Sequence, residues 1–360
     1  MNNTALHKDN IELHIFSDRR GKSSISTFSN TYAFTLDGKW YLIDTSCGKK
    51  RYRELRAFTA EHPCSMILCT HYHNDHIANN GRTGGRRTPI IYHYNVRSKV
   101  HWLRMNSTGQ LLMMYRDLDR DGLLRSIGFS GKGFIRAINS YRILSDFIMP
   151  GLIFLVAWLQ SLKMIGRIYT GRKRIAYLEP GDKNDYDLGG FTCPAWQIAD
   201  GLYAIETPGH SDCHVAYYLP GSSTLFCGDA LNFLNPNDIQ FGSITDVLTS
   251  QKLILELAQK LNIDRICMGH YEPITGNSEI LDYVSDIIRR HEHVYRLVSE
   301  YLLKNGNGKT FGELYSAIKN IDDEMIKKLA KITFPRSTLV FLDVYLLKMI
   351  KELGLECREG

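Results

Sequence analysis

Four side chains that bind metal ions well lie within six residues of this chain. They are His71, His73, Asp75 and His76, and they directly follow the apolar residues 65–69, which have the length and composition of a buried strand. Two histidines two positions apart at the end of an extended segment point their imidazoles to the same side. Asp75 and His76 follow where the chain turns toward a helix, so they approach the same place from another direction. The spacing predicts a metal site and suits two adjacent ions.

Three later segments carry further histidines and an aspartate. Residues 207–214 (TPGHSDCH) contain His210, residues 225–229 (LFCGD) end in Asp229, and residues 267–273 (CMGHYEP) contain His270. With the pattern H-x-H-x-D-H of residues 71–76, these segments resemble, in the same order, the four motifs of the metallo-β-lactamase superfamily. One such motif alone would be a weak signal, whereas four in order make a specific one.

The resemblance implies an α/β fold, the αββα metallo-β-lactamase sandwich, with two metal ions at its site. The ions would be two Zn²⁺, although iron or manganese can use the same nitrogen and oxygen donors. One ion would be held by three histidines: His71, His73 and His210. The other would be held by Asp75, His76 and His270, with Asp229 bridging the two. In such a site a metal-bridging hydroxide attacks the substrate, and Asp75 is the candidate catalytic residue that takes the proton of the attacking water.

The strand that precedes this site also ends in an aspartate. Residues 31–36 and 40–43 alternate like the strands of a hairpin, with the turn dipeptide Asp37-Gly38 between them. The second strand leads into Asp44, in a sequence that resembles the superfamily's early strand end. Asp44 is therefore a candidate for orienting one of the ligating imidazoles. A plain turn residue at the end of a strand is the alternative interpretation.

Composition and cysteine usage limit the kind of protein. With 360 residues and a hydrophobic fraction of 44%, the chain can bury a sizeable core and has room for additions to a main domain. The eight cysteines form no C-x-x-C pair and stand mostly in apolar segments, which is typical of buried thiols in a reducing compartment. The first residues are polar and do not resemble a secretion signal. We expect a cytoplasmic location.

Residues 97–175 interrupt the expected layout of the superfamily. This segment holds fourteen Lys or Arg against four Asp, a net charge of +10, whereas the whole chain has +6. Its apolar run, residues 147–165, is broken by Pro150 and polar residues and falls short of the ~20 apolar residues that span a membrane. Three interpretations remain open: a buried or dimer-forming helix, a lid over the site with a groove for an acyl chain, and a helix lying on a membrane surface.

The spacing of apolar residues predicts helices outside this insertion. They cover residues 49–62, 253–261, 280–301, 310–318 and 337–353, and Thr310 with Glu313 forms a capping pair. The C-terminal helices resemble the small winged-helix-like domain of the lactamase-β-like type-2 proteins, a branch related to glyoxalase II. The predicted division is a metallo-β-lactamase domain in residues 1–96 and 176–280, a helical basic and apolar insertion in residues 97–175, and a C-terminal helical domain in residues 281–360.

These features support three hypotheses of different classes. The first is a dinuclear hydrolase of a thioester or carboxylic ester, acting on an acyl group that is free or carried by an acidic partner such as coenzyme A or an acyl carrier protein. The second is a ribonuclease or phosphodiesterase, because a net charge of +10 could follow a phosphate backbone; a lactonase is a further alternative. The third is a non-catalytic module, which the complete ligand set argues against. The expected partners are an acyl substrate, with RNA, an anionic surface and a second copy of the chain as further candidates.

Overall fold

Two seven-stranded sheets face each other in the described part of the chain. The structure is a computed structural model, and it describes residues 5–8, 11–17, 28–99, 174–231, 242–331 and 341–358. Each strand lies beside its neighbour in the sequence, so the two halves of the main domain build one sheet each.

The first sheet contains the strands that lead to the histidine cluster. In order they are β1 (Ala5–Lys8), β2 (Ile11–Phe16), β3 (Thr31–Leu36), β4 (Lys39–Ile43), β5 (Cys64–Leu68), β6 (Ile90–His93) and β7 (Ile175–Leu178). Strands β1 to β4 are antiparallel, and β4 to β7 are parallel. Asp37 and Gly38 have φ of 51° and 69°, the left-handed conformation that a two-residue hairpin loop needs. The predicted hairpin is therefore confirmed.

The second sheet supplies the remaining strand ends. Its order is β14 (Ile274–Thr275), β13 (Arg265–Met268), β12 (Thr224–Gly228), β11 (Val215–Leu219), β10 (Leu202–Glu206), β9 (Thr192–Ala199) and β8 (Asn184–Asp187). Only the pair β12 and β13 is parallel among these described strands. Parallel neighbours end at the same rim of a sheet, so the residues after β12 and after β13 come close together.

The main core fills the space between the sheets. Phe34 of the first sheet stacks on Phe226 of the second, with ring centroids 5.4 Å apart, and Phe34 also stacks on Tyr41. Such aromatic pairs contribute about 0.5–1.5 kcal/mol beyond the area they bury. The apolar contact across the sheets fixes the distance between the two rims that carry the polar cluster.

Helices cover the outer faces of both sheets. Helix α1 (Lys49–Glu61) buries Leu55 and Phe58 against the first sheet, and α2 (Asn74–Ile77) is one turn that follows β5. On the second sheet lie α3 (Ile244–Lys260) and α4 (Asn277–Asn305). The order of layers is therefore helix, sheet, sheet, helix, and the predicted αββα sandwich is confirmed.

The C-terminal region is helical, as predicted. It contains α5 (Phe311–Lys319), α6 (Glu324–Leu329) and α7 (Phe341–Glu352), which pack around a separate apolar cluster. Helix α4 belongs to both regions: Ile280 and Val284 pack on the second sheet, whereas Val298 and Leu302 pack in the C-terminal cluster. The predicted domain limit at residue 281 falls within this one helix.

The ends of the predicted insertion lie at neighbouring strands. Residues Tyr94–Lys99 form a 3₁₀ helix after β6, and the chain re-enters the described part at residue 174, just before β7. Residues 100–173 lie outside the described residues, and so do the predicted helices of the insertion. Among the helices that the structure describes, none has the length and apolar character needed to cross a membrane.

Candidate metal centre

Seven polar side chains from both sheets meet at one rim of the sandwich. His71 and His73 follow β5, and Asp75 and His76 lie on the single turn of α2. The other three follow strands of the second sheet: His210 lies in the loop between β10 and β11, Asp229 follows β12, and His270 follows β13. The structure thus brings together all seven predicted residues. They are almost wholly buried, except that Asp75 is partly exposed and His270 lies at the margin.

The first group consists of His71, His73 and His210. Each offers a ring nitrogen, and these nitrogens all lie within 4.8 Å of one another. His210 Nε2 lies 2.8 Å from His73 Nδ1, a distance that one proton shared between the two nitrogens explains. The three rings converge on a common point, as a tridentate site requires.

The second group consists of Asp75, His76 and His270. Their donor atoms also lie within 4.8 Å of one another. His270 Nε2 is 3.1 Å from Asp75 Oδ2 and 3.3 Å from His76 Nε2. A carboxylate and two imidazoles therefore share one small space beside the first group.

Asp229 lies between the two groups. Its Oδ2 is 3.5 Å from His210 Nε2, 3.4 Å from His76 Nε2 and 3.3 Å from His270 Nε2. The carboxylate is thus nearly equidistant from histidines of both groups, which is the position that a bridging ligand occupies in a two-metal site.

Comparison with known proteins identifies the arrangement. A family model described as the metallo-beta-lactamase superfamily matches residues 26–135 and 157–270. The chain belongs to the metallo-β-lactamase superfamily. It is therefore a hydrolase of that superfamily with a histidine and aspartate cluster that binds divalent metal. The break in the match, residues 136–156, falls within the predicted insertion, and the match ends before α4.

Two solved structures show the same fold at low identity. A metallo-β-lactamase family protein of Thermus thermophilus is 18% identical, with a TM-score of 0.53 over 92% of this chain and 91% of that one. The stereoselective inverting sec-alkylsulfatase Pisa1 of a Pseudomonas species is 13% identical, with a TM-score of 0.53 over 91% of this chain. The match covers only 48% of the alkylsulfatase. At these identities, both similarities show a shared fold and nothing about the substrate.

Burial keeps three histidines of the superfamily cluster neutral. It lowers the pKa of His73 to about 4 and that of His210 to about 3, and it lowers the pKa of His71 well below its ordinary value. Neighbouring imidazoles act in the same direction on His71 and His210. A neutral imidazole has a free lone pair, so the first group is ready to bind a cation at neutral pH.

The second group is electrostatically different. Burial disfavours the imidazolium form of His270, but Asp229 and Asp75 outweigh it and raise the pKa to about 10. His76 behaves alike, because Asp229 and Asp44 outweigh its burial and raise its pKa. Asp75, in turn, has a pKa of about 2, because His270 and His76 outweigh the effect of its burial. A cation entering here takes the place of protons beside ionised carboxylates.

The donor atoms of the cluster fit metal ions. His71 Nε2 and Asp229 Oδ1 are buried, and neither has a hydrogen-bond partner among the described residues. Leaving such groups without a partner costs about 1–3 kcal/mol each, so buried polar atoms of this kind call for an ion or a water. Nitrogen and carboxylate donors without a thiolate suit zinc, iron and manganese.

Asp44 supports one ligand from each group. Its Oδ2 lies 2.7 Å from His76 Nδ1 and also accepts a hydrogen bond from the Thr70 hydroxyl at 2.7 Å. Thr70 Oγ1 lies 3.0 Å from His71 Nδ1. The orienting contact predicted for Asp44 is therefore present, and Thr70 extends it to the other group of ligands.

His214 lies behind Asp229 and is not one of the seven. Its Nε2 accepts a hydrogen bond from the backbone N–H of Asp229 at 3.1 Å, so its Nδ1 carries the proton and donates to Thr207 Oγ1 at 2.8 Å. The sequence shows His214 four residues after His210 but does not show this contact, because Asp229 follows fifteen residues later, after β12. The contact fixes the backbone from which the central carboxylate extends.

Two glycines allow the ligand loops to approach so closely. A Cβ on Gly269 would lie 2.0 Å from Asp229 Oδ1, and a Cβ on Gly209 would lie 2.3 Å from the backbone nitrogen of Val247. The first contact keeps the His270 loop against the carboxylate. The second shows that the loop of His210 rests on the first turn of α3, and in the next turn Ser250 Oγ donates to Pro208 O at 2.6 Å.

Proposed function

We propose that the protein is a dinuclear hydrolase, with two Zn²⁺ as its metals, that cleaves the thioester or carboxylic ester of an acyl group. The cations would be held as the superfamily resemblance implies: one by His71, His73 and His210, the other by Asp75, His76 and His270, with Asp229 between them. The observation that carries this proposal is the position of Asp229 Oδ2, 3.3–3.5 Å from histidines of both groups.

The metals and the side chains divide the chemistry. Two bound cations supply a water of lowered pKa and polarise the oxygen of the bond under attack. Asp75 is the residue to take the proton of that water, because its carboxyl is ionised at neutral pH and its side chain keeps 21% exposure, whereas the side chains of Asp229 and His270 keep 2%. Asp44 holds the His76 ring in place while the proton moves.

The choice of an acyl substrate rests on the sequence of residues 97–175. An acyl chain needs an apolar groove, at about 0.8 kcal/mol per buried methylene, and residues 152–159 form a long apolar run. A phosphate-bearing carrier needs cations near the entrance, and Arg172, Lys173 and Arg174 follow that run. The net charge of +10 also favours a second candidate, a ribonuclease or phosphodiesterase that uses the same metals.

A metal analysis followed by a substrate panel tests the proposal. The panel contains acyl thioesters of increasing chain length on coenzyme A, small neutral esters, a lactone, a sec-alkyl sulfate, a phosphodiester and RNA. We expect two metal ions per chain, a kcat/KM for thioesters that rises with acyl length to a limit, and a fall of that kcat/KM with added salt. A preference for RNA or the phosphodiester over every acyl substrate would replace the acyl proposal by the second candidate.

A charge variant separates carrier recognition from the chemistry. Changing Arg172, Lys173 and Arg174 together to glutamine is expected to lower kcat/KM for coenzyme A thioesters more than for small neutral esters, because only the former carry phosphates. The matched control changes three lysines of the C-terminal helices to glutamine: Lys319, Lys327 and Lys328. Equal losses on both substrate classes would contradict recognition of an acidic carrier.

A further inference from the structure

A short polar segment in front of β3 is bound to the loop that carries His270. The backbone N–H of Asn30 donates to Gly269 O at 2.6 Å. Its side-chain amide donates to Met268 O at 3.0 Å and to Tyr271 O at 2.8 Å. One residue directly before the first sheet's β3 thus holds three carbonyls on both sides of His270, which follows β13 of the second sheet. Asn30 is 6% exposed, so water does not compete for these bonds.

The same segment also holds the turn that carries Asp75. The hydroxyl of Ser29 donates to the backbone carbonyl of Asp75 at 2.8 Å, and Ser29 is fully buried. Asp75 and His270 come from different halves of the chain, nearly two hundred residues apart. Ser29 and Asn30 are adjacent, so together they join the two loops through one short piece of backbone.

His270 depends on this support more than two of the other histidines do. His76 is oriented through Nδ1 by Asp44, and His71 lies with Nδ1 beside Thr70. The Nδ1 of His270 is buried and has no hydrogen-bond partner among the described residues. With no hydrogen bond to Nδ1 among the described residues, the direction of the imidazole depends on the backbone on which it stands.

We propose that Asn30 and Ser29 are positioning residues that set the affinity of the second metal ion by fixing the loops of His270 and Asp75 relative to each other. The inference rests on the proposed assignment of Asp75, His76 and His270 to that ion. The hydrogen bonds of Asn30 and Ser29 to these two loops in the described part of the chain go to backbone carbonyls and not to the donor atoms themselves. The bonds of Asn30 to backbone carbonyls go to the His270 loop, so its loss loosens the second site, while His71 and His73 precede α2 and His210 lies in the loop between β10 and β11.

The test measures the two metal affinities separately in the full chain. Metal-free wild-type protein and the variant Asn30→Ala are titrated with Zn²⁺ in competition with a chelator, and bound metal is counted per chain. We expect the affinity for the second ion to fall about 10–100-fold in Asn30→Ala, the range found for outer partners of metal ligands. The affinity for the first ion stays at the wild-type value. Ser29→Ala, which removes a single hydroxyl, is expected to shift the second affinity in the same direction by a smaller factor.

Asn277 provides a matched control. Its side-chain amide also donates to two backbone carbonyls, Ala258 O at 2.8 Å and Ile263 O at 3.0 Å, but it lies at the start of α4 and not in the metal cluster. Asn277→Ala is expected to lower the melting temperature and to leave both metal affinities unchanged. If Asn277→Ala weakened the second ion as much as Asn30→Ala does, the effect would be one of general stability.

The outcomes separate this inference from the proposed function. Two ions in the wild type with unchanged second affinity in Asn30→Ala would overturn the positioning role alone. A wild type that binds a single ion would overturn the dinuclear proposal and this inference with it. If Asn30→Ala does not fold, the milder variant Ser29→Ala provides the test. An unchanged affinity of Ser29→Ala for the second ion would then contradict the proposal.

Discussion

The metal rim and the C-terminal helical cluster are built on opposite principles. The rim gathers five imidazoles and two carboxylates, all with buried side chains except Asp75, whereas the C-terminal cluster buries apolar side chains such as Phe311, Leu314 and Leu346. Buried charges are costly unless they are paired or bind metal, while apolar contacts are favourable in themselves. The rim therefore needs cations and hydrogen bonds to be stable, whereas the helical cluster is stabilised by close packing and by the apolar surface area that it buries.

The difference means that each region should fail under a different perturbation. Changes of charge at the rim remove metal and catalysis but take little apolar area out of the core. Changes of volume in the helical cluster remove free energy of unfolding but leave the ligands where they are. Helix α3 touches both regions, because Ile244 packs in the C-terminal cluster and Ile254 on the second sheet. The predictions below test whether the separation holds.

The largest expected effect is on activity. Asp229→Ala should lower kcat by about 10³-fold or more, beyond the 10–100-fold typical of partners outside the metal shell, because the carboxylate between the two ligand groups is lost. Circular dichroism should show the fold retained, since the core consists of apolar contacts that the variant keeps. Metal content and turnover on the best panel substrate measure the change. Asp187→Ala, at an exposed turn, is the control, and a wild-type rate in Asp229→Ala would refute the bridging role.

The next effect is on stability alone. Leu314→Ala in α5 should lower the free energy of unfolding by about 2–5 kcal/mol, because a fully buried leucine leaves a cavity. Metal content per folded chain should not change. Denaturant unfolding gives the free energy, and Leu303→Ala is the matched control because Leu303 is 63% exposed. Loss of metal from folded Leu314→Ala would show that the two regions are not separate.

A third effect depends on pH. Burial lowers the pKa of His291 in α4 to about 3, against an ordinary value of 6.5, so the unfolded chain binds a proton that the folded one does not. The stability contributed by the neutral ring is complete above pH 6.5 and falls as the pH drops toward 3. Between pH 7 and 5.5 we expect wild type to lose on the order of 1 kcal/mol more than His291→Gln. Urea unfolding of both proteins at the two pH values measures the difference, and parallel losses would contradict the assignment.

The smallest effect tests the link between the regions. Glu352, at the end of α7, accepts hydrogen bonds from Ile244 N at 2.7 Å and from Thr245 Oγ1 at 2.8 Å, at the start of α3. Glu352→Ala and Thr310→Ala each remove a helix N-terminal acceptor and should each cost about 1 kcal/mol. Only Glu352→Ala loosens the turn on which the His210 loop rests. The affinity of the Glu352→Ala variant for the first ion should fall about twofold (~0.4 kcal/mol). Equal metal affinities in the two variants would show that the regions are independent.

Local patterns predicted much of the structure. The H-x-H-x-D-H spacing after an apolar run placed four of the clustered residues, and Thr310 with Glu313 forms the predicted capping box at the start of α5. The helix predicted over residues 253–261 begins earlier, at Ile244, where Ser243 caps it by accepting a hydrogen bond from Asp246 N. The capping signal in the sequence is Ser243, three residues before Asp246. The prediction missed it because the apolar spacing in the first turns of α3 is weaker than in residues 253–261.

The sequence by itself determined the cluster of residues 71–76 and the helix caps, because ligand spacing, strand ends and caps depend on neighbours within a few positions. It indicated His210, Asp229 and His270 through the order of motifs that resembles the superfamily. Only the tertiary structure decided what holds these residues at the rim. Asn30 reaches carbonyls more than two hundred residues away, and His214 meets the backbone of Asp229 from another strand. A polar residue before a strand looks the same whether it faces water or a carbonyl of the opposite sheet. The partner exists only once apolar burial has brought the two sheets together, so no local pattern can reveal it.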